Sequence, residues 1–461
     1  MKTVINSKVT RAGIKFVARV ISKKTTLPIL SNALLYANGA FAVTATDLDM
    51  TVTARLPGQT AIEGKTTLPV ARLLSAVSGA GDVEFHTDEK HVTTIRTGAM
   101  IQSIHGLSNE EFPPETVRPE SAASLVLPAD VFISCLKQVA PAMSTDESRY
   151  VLNGVCLEVS AECITFIATD GRRLHTASLA TGGKPLSAEE KAAIAIAQKA
   201  LDAAAGELAT AQSAYDSALA ANPPSYTPVE IAGHGTLYRK ADHATVVSRQ
   251  SVLDDCKTVV DSARVELNKL NASRNILLPR AAVNQIIAMP LDKKCPGTLV
   301  LSDWETAARV DCGIFTITTK QIEGNYPNYK QVIPADSKID VPVNIGAFRE
   351  CLDVAGNTTS EKSNSVKLVF TKNLLTITSN APEIGETRVA MPVNYTPAVD
   401  AEGKEKDPVC IAFNPEYLIE TCDAFETAGA EMTLHVTDEL CPIRITNSAG
   451  NTAVIMPMRL S

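Results

Sequence analysis

Six times along this chain an extended apolar stretch runs into an amphipathic helix, and no other feature of the 461 residues constrains the fold as tightly. The units span Thr3–Ile21, Thr66–Val77, Leu125–Ala140, Asn275–Ile287, Asp340–Ala355 and Val409–Phe425. Their helices are predicted to begin near Ser7, Pro69, Pro128, Pro279, Pro342 and Asn414. Proline fits a first helical turn because its missing N–H would be unpaired there anyway, and Ser or Asn can cap the orphan amides. Successive starts lie 62, 59, 151, 63 and 72 residues apart, so one interval carries roughly 90 extra residues in an otherwise regular chain. Between the helices the apolar pattern changes to period two, as in Leu48, Met50, Val52, Ala54 and Leu56, or Val155, Leu157 and Val159 followed by Ile164, Phe166 and Ala168. Two units per domain then give an α+β chain of three domains: 1–122, 123–334 with the interruption, and 335–461.

The interruption, about 182–272, has its own composition. From Ala188 to Ala221, 15 of 34 residues are alanine. Ile194, Leu201, Leu208 and Tyr215 recur every seventh residue, with Ala197, Ala204, Ala211 and Ala218 three positions after each. A second heptad runs Leu253, Cys256, Val260, Ala263, Leu267 and Leu270. The pattern predicts an antiparallel coiled-coil arm with a structured tip around Tyr226–Ser248, two surface helices lying on the middle domain being the alternative.

Charge and chemistry narrow the function classes. Forty-three Lys and Arg against 51 Asp and Glu leave a net charge of −8, which argues against general adhesion to nucleic acid or acidic membranes and confines any such role to a local basic surface. No apolar run approaches the ~18 residues that cross a bilayer, and Met1 is not followed by a signal-peptide pattern, so a cytoplasmic protein is expected. The ten cysteines are scattered singly without CxxC, and the seven histidines form no ligand spacing. No phosphate-cradling glycine loop or nucleophile elbow is present, so neither catalysis, cofactor nor metal is expected. The enzymatic alternative is a metal-dependent hydrolase using Asp47 and Asp49, although strand alternation puts both on an outer face. The first helix is more telling. Lys8, Arg11, Lys15 and Arg19 fall on one side, and Arg72, Lys137, Arg280 and Arg349 place cations on equivalent helices, a pattern that suits phosphates without base readout. At the chain end, Val454-Ile-Met-Pro-Met-Arg-Leu460 is an apolar run whose methionines could line an adaptable groove.

The segments TTLPILSNALL (25–35), TATDLDM (44–50), ESRYVLNGVCLE (147–158), ATDGRRL (168–174), YPNYKQVIP (326–334) and MPMRL (456–460), in this order, resemble the bacterial DNA polymerase III beta subunit, the sliding clamp. The resemblance covers both ends and all three domains, leaving only the alanine-rich arm outside. It implies a head-to-tail homodimer whose six domains form a ring around duplex DNA, held by topology rather than sequence, with a separate ATP-driven clamp loader to open it. It also implies a pocket for short peptides from the replicative DNA polymerase and other clamp-binding proteins. The residues that match that pocket are Leu152, Thr169, Gly171, Arg172, Arg173, Leu174, Pro327, Val332, Asn414, Tyr417, Val454, Ile455, Met456, Pro457, Met458, Arg459 and Leu460. Lys24 and Arg149 match DNA-facing positions, and Ile104, Phe348 and Val354 lie in regions matching the dimer interface. The departures are Val151 where an aromatic residue is frequent, Arg172 for a frequent His, Gln331 for a frequent Arg, Asp146 for a neutral residue, and Ser461 beyond the usual terminal Leu. A clamp-derived scaffold acting mainly through the arm is the remaining alternative.

Overall fold

The computed structural model describes the chain apart from 22–26, 80, 120–121, 161, 292–296, 360–363, 398–407, 427–428, 459–461 and most of 182–273. It divides into two compact units: Met1–Glu158 with Ile164–Leu179 and Ile276–Ser461, and Val159–Cys163 with Ala180–Asn275.

In the larger unit all six expected helices form: α1 (Ser7–Val17), α2 (Val70–Ala76), α3 (Ala129–Val139), α4 (Arg280–Ile287), α5 (Ile345–Gly356) and α6 (Pro415–Glu426). Their starts correct the proline reading. Pro69, Pro128 and Pro279 each end a strand and stand at the N-cap, where an extended ψ of 120 to 150° turns the chain into the helix. Pro342 lies inside the strand Ile339–Asn344, and it is Asn344 Oδ1 that caps α5 by accepting from Ala347 N at 3.0 Å. Likewise Asn6 caps α1, and Asn414 Oδ1 accepts from Glu416 N at 2.9 Å. The helices pack in pairs, α1 beside α2, α3 beside α4 and α5 beside α6, and α3 also touches α6.

Strands from distant parts of the chain are sewn together at two junctions. One eight-stranded sheet runs 123–128, 298–304, 307–311, 315–320, 50–56, 40–46, 32–38, 64–69, joined where Phe315–Lys320 pairs antiparallel with Met50–Leu56. The other runs 274–279, 154–159, 163–169, 173–180, 452–455, 443–447, 431–436, 339–344, joined where Arg173–Thr176 pairs with Thr452–Ile455. The middle of the chain thus gives four strands to each. A five-stranded sheet has Met100–His105 at its edge, and a four-stranded sheet has Gly385–Pro392 at its edge. Period-two burial holds for Met50, Val52, Ala54 and Leu56, but Leu48 is outside the strand, in a turn, and 48% exposed.

In the smaller unit, Tyr226–Ile231 and Gly235–Lys240 form a hairpin with Tyr226 opposite Lys240, in the segment expected to be a structured tip. Ala203, Glu207, Thr210 and Ala214 are helical. Both heptad seams lie outside the described residues.

Candidate peptide cleft and cation face

The second junction is organised by the turn in ATDGRRL. Asp170 Oδ1 accepts from Arg172 N (2.8 Å) and Arg173 N (3.0 Å). Thr169 Oγ1 accepts from Gly171 N at 3.1 Å and donates to Arg173 O at 2.6 Å, tying the two sides of the turn together. Gly171 has φ +84°, and a Cβ there would stand 2.7 Å from Arg149 Nη1. Beyond the turn, strand alternation sends Leu174 to one face and Arg173 and His175 to the other.

On the first face Leu174 joins Cys156, Ile167 and Val454 in a buried cluster, against which Tyr326, Tyr329 and Ile333 pack. Burial, aided by the Glu158 charge, pushes the Cys156 thiol up to about 12, so it is an apolar lining and not a nucleophile. The chain end lies alongside. Met456 N donates to Arg172 O (2.9 Å) and Met458 N to Ala412 O (2.8 Å), which leaves the Met456 and Met458 side chains 46% and 36% exposed. Leu152 is half-buried, while Pro327 and Val332 are exposed. The accessible apolar side chains are thus Met456, Met458, Pro327 and Val332, with the buried cluster beneath at most 2% exposed; flexible thioethers over an apolar base suit aliphatic or aromatic anchors. Tyr329 Oη donates to Glu158 Oε2 at 2.7 Å and Lys330 Nζ to Oε1 at 3.0 Å, so the tyrosine is fixed in place.

Several expected pocket residues do other work. Ile455 is fully buried in the C-terminal core and does not face the cleft. Asn414 is a helix cap. Arg173 is 9% exposed and committed: its Nη1 donates to Glu420, its Nε to Asp170 Oδ2 at 3.2 Å and its Nη2 to Pro141 O at 2.6 Å, and the guanidinium stacks 4.4 Å from the Tyr417 ring centroid. Arg172 and Pro457 accompany the turn and the terminal strand; Arg459 and Leu460 lie outside the described residues. Cys156, Ile167, Tyr326, Tyr329 and Ile333 were missed. The alternation of the strands 154–159 and 163–169 and the two tyrosines of YPNY were the signals that could have found them.

The cation face is exposed at Lys8, Arg11, Lys15 and Arg19, which follow one side of α1 and the turn after it, and at Arg72, Lys137 and Arg280 on α2, α3 and α4. Arg149 is exposed but bonded to Asp170 O (3.2 Å) and paired with Asp146 (3.4 Å). Arg349 departs from the expectation, being held by Asp423 (2.5 Å) and Asp353 (2.8 Å), which raise its pKa. Lys24 lies outside the described residues. Of the expected interface residues, Phe348 is fully buried in the core of the C-terminal sheets and Ile104 is 4% exposed, so Val354 (49%) is the one that can meet a partner.

Asp47 and Asp49 do not form a metal pair. Asp47 Oδ1 accepts from Asp49 N (3.0 Å) and Met50 N (2.7 Å), whereas Asp49 bonds Lys320 Nζ at 2.8 Å. Their turn copies that of ATDGRRL, with Thr46 as Thr169 and Leu48 as Gly171. Among the described residues no group of three or more His, Cys, Asp or Glu could hold a metal ion, and no helix is long and apolar enough to cross a membrane.

Family models for the N-terminal, central and C-terminal domains of the DNA polymerase III beta subunit match residues 1–117, 126–223 and 330–459. The beta sliding clamp of Chlamydia muridarum is 24% identical over 466 residues, covering 100% of this chain and 99% of that protein. That of Escherichia coli K12 is 23% identical over 444 residues, covering 95% and 94%. Among solved structures, the DNA polymerase III subunit beta of Pseudomonas aeruginosa superposes with a TM-score of 0.73 at 19% identity over 100% of both chains. The pol III beta of Caulobacter crescentus gives 0.70 at 22%, again over 100% of both.

Proposed function

The chain belongs to the DNA polymerase III beta subunit family, and on that premise we propose that it works as a DNA sliding clamp, a non-catalytic processivity factor. The ordered match of all three domains of one family along a single chain carries the reading. The hydrolase alternative fails on the separate commitments of Asp47 and Asp49, and nothing favours a scaffold that has given up DNA. Two copies, meeting head to tail through the sheet edges 100–105 and 385–392, close a ring whose helices face duplex DNA. Sparse cations suffice because a closed ring is held by topology, and direct phosphate contacts only need to permit sliding. The bulk charge of −8 discourages adhesion from outside. A loader driven by ATP opens the ring, and the cytoplasm is its place of work.

The cleft built on Leu174, Val454, Met456 and Met458 receives short linear peptides of the replicative polymerase and other partners. On the domain limits we propose, 1–122, 123–334 and 335–461, it lies where the second and third domains meet. The decisive experiment is retention on nicked circular DNA after loading. Protein should stay on the circle at salt that strips it from linear DNA and be released when the circle is cut; equal loss from both substrates would overturn the clamp reading.

A further inference from the structure

The strand that gives Leu174 to the cleft presents a polar face on its other side, and clamp function as proposed makes no use of it. His175 is fully buried there, with Nδ1 2.9 Å from Gln138 O and Nε2 3.1 Å from Thr421 Oγ1. Gln138 is itself held: its Oε1 accepts from Asn451 Nδ2 at 2.5 Å and its Nε2 donates to Ser134 Oγ at 3.3 Å. The end of α3, the middle of α6, the strand Arg173–Ala180 and the turn before Thr452–Ile455 therefore share one buried network.

Its protons can be assigned. A carbonyl oxygen only accepts, so Nδ1 carries the hydrogen toward Gln138 O. Burial first, and the Arg173 charge in addition, pushes the His175 pKa down to about 4 against the opposing pull of the Gln138 carbonyl and Asp170, so the ring is neutral near pH 7. Nε2 is then bare and accepts from the Thr421 hydroxyl only in competition with Tyr417 O, to which that single proton is also donated at 2.7 Å.

Thr421 lies one turn beyond Tyr417, whose ring carries the Arg173 guanidinium. The contact from His175 to Thr421 accordingly fixes α6 against the strand at the level of the cleft. We propose that His175 is a positioning residue for peptide capture: by locking the strand Arg173–Ala180 to α3 and α6 it holds Leu174 in the cleft floor. The inference rests on the peptide-capture reading above.

The test is fluorescence anisotropy of a fluorescein-labelled peptide carrying adjacent leucine and phenylalanine anchors, titrated with the full-length chain. His175→Leu keeps the volume and removes both bonds, and its Kd should rise at least tenfold. His175→Asn restores a donor at the Nδ1 position and should recover most of that loss, which a merely space-filling role would not produce. Thr421→Val, nearly isosteric, removes the hydroxyl's contact with Nε2 together with its bond inside α6 to Tyr417 O, and should weaken binding severalfold; it serves as the decisive variant should His175→Leu not fold. Wild-type affinity in His175→Leu or in Thr421→Val, or an Asn variant as weak as the Leu variant, overturns the positioning role while peptide capture stands. Failure of the wild-type chain to bind sinks both.

Discussion

Leu48 and Gly171 occupy the same position in two copies of one turn, with φ of +81° and +84°. Both follow an Asp that accepts from the two amides after the turn, and a Thr whose hydroxyl accepts from the residue itself. Glycine adopts this region without a steric penalty, whereas an L side chain costs ~1–2 kcal/mol there. The first copy therefore holds strain that the second avoids. Leu48→Asn, which tolerates the left-handed region, should raise stability in urea titrations by about 0.5–1 kcal/mol. Gly171→Ala should lower it by about 1–2 kcal/mol, since the Arg149 tip in the way can move and only the backbone strain remains.

Around this shared turn the side chains differ, and the difference explains why only one junction makes an apolar cleft. Leu174 pairs with Val454 as Thr51 pairs with Thr318, and Ile167 precedes its turn as Thr44 precedes its own. Thr44 bonds Thr53 at 2.9 Å, so the first junction satisfies hydroxyls where the second buries hydrocarbon. Replacing Ile167, Leu174 and Val454 together by Thr should abolish binding of the anchor peptide with the dimer mass unchanged, and Leu174→Thr alone should cost about tenfold, on the scale of ~1.4 kcal/mol for a partly lost apolar contact. Binding retained by the triple variant would place the site elsewhere.

The sequence made the six helices and the ends of the cleft legible because each is local, whereas the turn at Leu48 reads as strand by period two and shows itself only in the Thr46 and Asp47 hydrogen bonds. Periodicity and a Thr-Asp pair act within a few residues of where they are read. Pairings such as Leu174 with Val454 are separated by most of the chain, and nothing local told that Ile455 turns into the core while Val454 joins the cleft. Nor does helical spacing reveal that Arg349 is spent on Asp353 and Asp423, the second of which lies on another helix. His175 gave no signal, since its partners Gln138 and Thr421 lie 37 residues before it and 246 after it.

The buried imidazole makes stability pH-dependent. Its folded pKa of about 4 lies below the ordinary value of 6.5, so the unfolded state binds the proton first as pH falls. Stability should hold above about pH 6.5, decline through the interval down to about pH 4 by a total on the order of 3 kcal/mol, and level off below, as far as this group is concerned. Urea titrations at pH 7.5, 5.5 and 4.5 should show the decline in the wild type and a shallower one in His175→Asn. Identical slopes in the two proteins would contradict a buried neutral ring.

Cations on the helices separate into free and committed ones, and substitution should sort them. Lys15→Glu with Arg19→Glu should impair loading or retention on nicked circles without altering the dimer mass, because both side chains are exposed on the face of α1 and its extension. Arg349→Gln should leave retention nearly unchanged, since the guanidinium already serves two carboxylates. Equal defects in the two variants would show that a solvated, paired arginine still counts toward the DNA surface.

The inserted unit should be removable. The strand ending at Ala180 and the strand starting at Arg274 lie in one sheet, separated by the strands 163–169 and 154–159. Three strand spacings of ~4.8 Å put their ends about 14 Å apart, a gap that about eight Gly/Ser residues span with slack. Excising 182–272 removes no strand of either eight-stranded sheet, and exchanging a long connection for a short one lowers the closure entropy of the chain. The excised protein should dimerise, bind the anchor peptide with wild-type affinity and remain on circular DNA, as read by sedimentation, anisotropy and retention. Failure to fold would make the insertion part of the core. Dimerisation and peptide binding without retention on circles would instead assign the insertion to loading, a role that the Tyr226–Ile231 and Gly235–Lys240 hairpin would then be the first segment to test.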